Sequence, residues 1–193
     1  MNIYEACPEV KNERFLLRLA GEQDCEDLLK VYSDEKAVPL FNSDNCNGDD
    51  FYYATLERMR QAMAFWIWSY ENSWFVRLSI VDVAAGQAVG TVELCYRDSE
   101  DTGVLRLDLR SDYEKEADIS DILSLVVEPA YDWIGCSRLI TKAKPIAEER
   151  IKALTAFGFT PAQTPLIGHD GQAYGDYFER GQRFSCTPYS SFK

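Results

Sequence analysis

The sequence has a single histidine, no Cys-x-x-Cys pair, no basic excess and no apolar run longer than residues 62–68, within 193 residues. With His169 alone, a histidine-rich metal site is excluded, and any Ser-His-Asp or Cys-His mechanism has to pass through that residue. It stands in Ile167-Gly168-His169-Asp170-Gly171. Asp-Gly accepts positive φ, so this reads as a hairpin turn, with an exposed turn histidine favoured over a catalytic base. Cys7, Cys25, Cys46, Cys95, Cys136 and Cys186 stand far apart. Structural zinc sites bring two ligands onto one turn, which does not happen here. Reduced, mostly buried thiols are expected, with Cys25 and Cys95 inaccessible. The seven-residue apolar run is far short of a bilayer span. Residues 1–10 lack the basic flank and apolar stretch of a secretory signal, so a cytoplasmic location is expected.

What the sequence does have is acid. Asp and Glu number 32 against 20 Lys and Arg, a net charge of −12. Such a surface repels phosphate backbones and anionic lipid, so neither nucleic acid nor membrane is an expected partner. A cationic or amine-bearing substrate would be steered inward, although an excess of carboxylates serves solubility just as well. Hydrophobic residues at 46% and charged residues at 27% suit a folded chain. No repeat or Pro/Ser-rich linker divides it, and it reads as one domain over 1–193 with a loose tail from Thr187.

Residues 14–19 form a first strand, and Asp24 reads as the N-cap of a helix whose stripe is Cys25, Leu28, Leu29 and Tyr32. After a loop at 39–50, a helix is expected over 51–70. Its Met and aromatic face (Tyr52, Leu56, Met59, Met63, Phe65, Trp66, Ile67) reads as core, with a ligand platform the alternative. The period then changes to strand. Residues 74–83, 89–97 and 104–113 make three successive antiparallel strands, the last with Leu105, Leu107 and Leu109 on one face and Arg106, Asp108 and Arg110 on the other. A helix over 118–128 should stop at Pro129, with Leu125-Val126-Val127 readable instead as strand. A strand at 137–142 and a helix from Pro145 to Phe157 follow, ended by Gly158. Strands at 162–168 and 173–184 meet at the Asp170-Gly171 turn.

This order resembles the GCN5-related N-acetyltransferase superfamily, and within it the branch that acetylates protein N-termini and small amines. The likeness rests on FLLRL followed by Asp24-Cys25-Glu26-Asp27-Leu28, on Gly90-Thr91-Val92-Glu93-Leu94 as the third strand, and on Ala156-Phe157-Gly158-Phe159 at the end of the last helix. It implies a mixed α/β fold, a mostly antiparallel central sheet flanked by helices, in which the strands at 104–113 and 137–142 form the parallel pair. It implies acetyl-CoA as co-substrate and, as partner, a small-molecule amine or a protein N-terminus, with a homodimer as a further option.

In that superfamily a glycine-rich loop after the fourth strand cradles the coenzyme A pyrophosphate with backbone N–H groups. The matching stretch here runs from Ser111 to Asp118, with no glycine and four acidic residues. The Asn and Ser often found on the family's last helix fall near Ala147 and Arg150. The resemblance places the cofactor against Leu109, Arg110, Ser111 and Tyr113, and needs only a base and a backbone N–H to polarise the thioester. Asp108 is the first candidate base or amine anchor, set against an ion pair with Arg106 or Arg110. Glu93 is the second, set against a solvated strand position. Tyr113 and Tyr131 are candidate acids by analogy. No metal ligand is assigned. The reading is an acyl-CoA-dependent N-acyltransferase, and the alternative is a catalytically degenerate protein of the same fold that binds a small ligand or a protein.

Overall fold

The computed structural model describes residues 2–97 and 100–182. A sheet in the order β1-β2-β3-β4-β5-β6-β10-β7 runs through it. Its strands are β1 (Val10–Lys11), β2 (Phe15–Leu19), β3 (Val76–Asp82), β4 (Gln87–Arg97), β5 (Thr102–Leu109), β6 (Arg138–Lys142), β7 (Thr160–Pro161) and β10 (Tyr177–Gly181). The small hairpin of β8 (Leu166–Ile167) and β9 (Ala173–Tyr174) carries the exposed His169 in its turn. Every pair in the large sheet is antiparallel except β5 with β6. That pair is parallel, as expected, because the helix α3 (Glu116–Ile134) crosses between them. It joins residues 102–104 to 138–140 and goes no further, so β5 parts from β6 over 105–109.

The sheet is covered on both faces. Val76, Leu78, Ile80, Val92, Leu94, Leu105, Leu107 and Leu109 pack with Ile119, Leu123 and Val126 of α3 in one core. On the opposite face α1 (Cys25–Tyr32) and α2 (Leu56–Glu71) build a second core around Tyr32, Met59, Met63 and Trp66. At Gly90 the β3–β4 register slips, with Ile80 opposite Gly90 and Val81 opposite Ala88. A Cβ on Gly90 would run into the backbone carbonyl of Asp108, so this strand position has to be glycine.

Several boundaries differ from the sequence reading, each for a local reason. Helix α2 starts at Leu56, where Thr55 Oγ1 accepts the Arg58 N–H at 3.2 Å. Residues 51–53 are drawn out of it because the Asp49 and Asp50 side chains accept the Phe51 and Tyr52 N–H groups at 2.9 Å each. Of the expected α2 face, Tyr52 and Phe65 are exposed. Helix α3 does not stop at Pro129. It runs on to Gly135, left-handed at φ +67°, because Ala130, Tyr131, Trp133 and Ile134 continue the buried stripe. Helix α4 (Glu148–Ala156) begins three residues after Pro145. Asp24 does not cap α1: its carboxylate takes Arg18, the Ser79 hydroxyl at 2.7 Å and the Gly21 N–H at 3.1 Å. The strand expected over 173–184 divides at residues 175–176 and joins β6 as β10.

The five described cysteines are free thiols; Cys25 and Cys136 are buried and Cys95 half-buried. Cys186 and the tail from Thr187 lie outside the described residues. Thiol titration of the unfolded protein without reductant should count all six cysteines, and a lower count would reveal a disulfide.

Candidate functional site

Strand register writes two polar rows across the sheet face that α1 and α2 cover. In the first, Arg77 of β3 lies opposite Glu93 of β4, and Glu93 lies opposite Arg106 of β5. Directly opposed side chains are the closest in a sheet, so the charges pair across strands. Glu93 is held on Oε2 by Arg77 and on Oε1 by Arg106. In the second row Arg18, Ser79, Thr91 and Asp108 follow one another from β2 to β5. Asp108 Oδ2 accepts from Tyr32 Oη at 3.0 Å and from Arg77 Nη1 at 3.2 Å, while Oδ1 has no partner among the described residues.

Arg77, Glu93 and Asp108 are each at most 2% exposed. Desolvation would raise the Glu93 carboxyl, but Arg106 and Arg77 overcome it and hold it below the usual range. Glu93 is therefore a fixed anion and a poor proton acceptor. Burial wins at Asp108 and raises its carboxyl against the pull of Arg77 and Arg150. The Arg77 guanidinium also lies 4.3 Å from the Trp66 ring centroid and 5.2 Å from that of Phe51, the latter in left-handed backbone at φ +60°.

Above the first row opens a cavity of about 640 Å³. Arg77, Glu93 and Arg106 line it, with aromatic walls that include Trp66, Trp74 and Phe65, and with Arg58, Arg97 and His169 from its surroundings. Asp49 braces the loop on one side, accepting from Arg58 Nη2 at 2.6 Å and from Tyr53 Oη at 3.1 Å.

The gap where β5 leaves β6 is bridged by the chain itself. Asp44 takes Arg106 Nη2 on its carbonyl at 2.9 Å and Lys142 Nζ on its carboxylate at 2.5 Å, and Pro39 O takes Lys144 Nζ at 2.5 Å. Arg150 of α4, 1% exposed, binds Glu114 through Nε at 2.7 Å and Nη2 at 2.9 Å, and reaches Leu40 O at 3.3 Å. The amides after β5 are spoken for as well. Ser111 N–H donates to Asp34 Oδ2 at 2.9 Å and Glu116 N–H to Glu149 Oε2 at 3.2 Å. Burial works to raise the Asp34 carboxyl, but the hydrogen bonds from Ser111 and Lys36 bring it below its ordinary value.

Of the residues singled out from sequence, Glu93 lines the cavity and Asp108 lies beside it in the buried network. Glu93 is not solvated, and Asp108 pairs with Arg77 instead of Arg106 or Arg110; cross-strand neighbours are nearer than alternate residues on one strand. Leu109 is buried in the core, Arg110 binds Asp112, and the Tyr113 hydroxyl donates to Asp82 at 2.9 Å. Tyr131 donates to Arg180 O at 3.0 Å, away from the cavity. Sequence reasoning missed Arg77, Arg97, Arg150 and Asp34. A signal for Arg77 did exist: the off-face positions Arg77-x-Ser79, Thr91-x-Glu93 and Arg106-x-Asp108 become complementary rows once the strands are set in register.

No protein-family model matches the sequence, and no curated protein is significantly similar to it. The fold is nevertheless that of solved acetyltransferases. The ribosomal-protein-S5-alanine acetyltransferase of Vibrio fischeri superposes with a TM-score of 0.68 at 17% identity, covering 91% of this chain and 97% of its own. The ribosomal L7/L12 α-N-protein acetyltransferase RimL, solved with coenzyme A, gives 0.69 at 14% identity, covering 91% and 98%. The microcin C7 self-immunity acetyltransferase MccE, solved with acetyl-CoA and AMP, gives 0.70 at 11% identity, covering 88% and 93%. Against that fold, the Ser111 and Glu116 amides hold carboxylates, and the Arg150–Glu114 pair fills space beside them. As folded, this end of the cleft does not fit the phosphates of an acyl-CoA.

Proposed function

We propose that this chain binds a small organic ligand in its arginine-lined cavity, on an acetyltransferase fold whose phosphate cradle is taken up by the chain's own carboxylates. The buried Arg150–Glu114 pair carries the reading: a guanidinium 98% buried is held by a side chain from the very loop that would have to receive the phosphates. The second reading is acyl-CoA-dependent N-acetyl transfer to a primary amine of a small molecule or protein N-terminus. The parting of β5 from β6 favours it, as do neighbours solved with coenzyme A and acetyl-CoA. In that reading Asp108 is the candidate base. We also propose a cytoplasmic location; no helix among the described residues is long and apolar enough to cross a membrane.

A thermal melt separates the two readings. A ligand specific for the native state adds ~2.7 kcal/mol at a hundredfold excess over Kd. Millimolar acetyl-CoA should leave the melting temperature where it is. A rise of several degrees would establish the second reading instead, and Asp108→Asn should then slow acyl transfer without abolishing the rise.

A further inference from the structure

The cavity's lining is opposite in sign to the chain around it. On a protein of net charge −12, the lining holds Arg58, Arg77, Arg97 and Arg106 against two carboxylates, Asp49 and Glu93. Asp108 and Glu100, which also bind Arg77 and Arg97, lie outside the lining. Three of these guanidiniums, on Arg77, Arg97 and Arg106, keep a buried Nε–H with no acceptor among the described residues. A buried cation left short of acceptors favours an incoming anion. The walls supply flat apolar surface: Trp66 is buried under the arginines, and Phe65 and Trp74 are half or more exposed. Exposed aromatic surface next to a drug-sized cavity marks a ligand site. The neighbouring groove, lined by Asp44, Asp50 and Asp170, has the opposite charge and lies across the loop at 45–49.

Resting on the proposal that this cavity is the ligand site, we infer that it takes a planar aromatic compound carrying an acidic group, the ring against Trp66 and Trp74 and the anion toward Arg97 and Arg106. That is the reverse of the amine-bearing substrate that the acidic surface suggests. An anion must enter against the overall field but is bound by local charges at short range, where screening is weakest.

Three probes of one shape decide it: 2-naphthoate, 2-naphthamide and 2-naphthylmethylammonium, titrated against the intrinsic fluorescence of the full chain, since Trp66 and Trp74 line the cavity. The carboxylate should bind at one site per chain, roughly tenfold tighter than the amide, with the cation weakest. Arg97→Gln, at a side chain 22% exposed, should remove most of the difference between carboxylate and amide while leaving amide binding unchanged. Tighter binding of the cation overturns the inference while leaving the cavity as a ligand site. Equal binding of all three, no binding of any, or an unchanged preference in Arg97→Gln overturns it too. Acetyl-CoA melts test the underlying reading separately, because they report on the cleft between β5 and β6.

Discussion

Replacing Arg77 with methionine should lower the melting temperature more than any other single change on this sheet face. The substitution keeps the stem but leaves Asp108 buried without its cation and Glu93 with Arg106 alone. Breaking one partner out of a buried pair costs about 3–5 kcal/mol, and at this chain length each kcal/mol moves the midpoint by about 2–4 °C. The expected fall is therefore roughly 6–20 °C, read by calorimetry or circular dichroism. Asp108→Asn should cost far less, since burial already works against the charge there and an amide oxygen can still accept from Tyr32. The double variant should be more stable than Arg77→Met alone, because the two groups share one interaction.

The pH dependence of these variants follows from opposite shifts. Glu93 has a folded-state pKa below its unfolded one. Its contribution is complete above the ordinary carboxylate range and is lost as the pH falls through the folded value. Asp108 has a folded-state pKa above its unfolded one, so ionising it costs stability as the pH rises. Asp108→Asn should thus gain on the native chain between about pH 3 and 7. A variant that loses ground over that range would show that Arg77 outweighs desolvation at this carboxylate.

The architecture was legible because its signals are local. Alternation in residues 102–109 and the helix that follows fix a parallel crossover, and Gly90 and Gly158 mark a close approach and a helix end. The cavity was not legible, because its chemistry depends on register. Arg77 sits between Val76 and Leu78 in a strand that reads as having one polar face, and only the alignment with Glu93 and Arg106 makes that face an ion-pair row. The cleft was legible only by halves. The missing glycines and the acidic run 111–118 stand in the sequence, but their partners do not: Asp34 comes from 77 residues upstream of Ser111, and Arg150 from 36 residues beyond Glu114.

Those distant partners change what removing the acidic residues should do. From sequence, Glu114 and Glu116 look equivalent, two like charges in the way of phosphate. In the structure Glu114 has a side chain 8% exposed and bound to Arg150, while Glu116 is exposed at the start of α3. Glu116→Gly should therefore cost no more than about 1 kcal/mol, the ordinary penalty for glycine in a helix. Glu114→Gly strips Arg150 of both carboxylate oxygens and leaves it Leu40 O at 3.3 Å. That should cost about 3–5 kcal/mol, a fall of roughly 6–20 °C. The stranded guanidinium then becomes an anion site beside a loop that has gained a glycine. Millimolar inorganic pyrophosphate should raise the melting temperature of Glu114→Gly and leave the native chain unmoved, since Glu114 already supplies the charge. If pyrophosphate stabilises both proteins equally, the native loop binds phosphates with Glu114 in place, and the self-filled cradle is refuted. If it stabilises neither, Arg150 serves the fold alone, and the cleft between β5 and β6 has no latent phosphate site to recover.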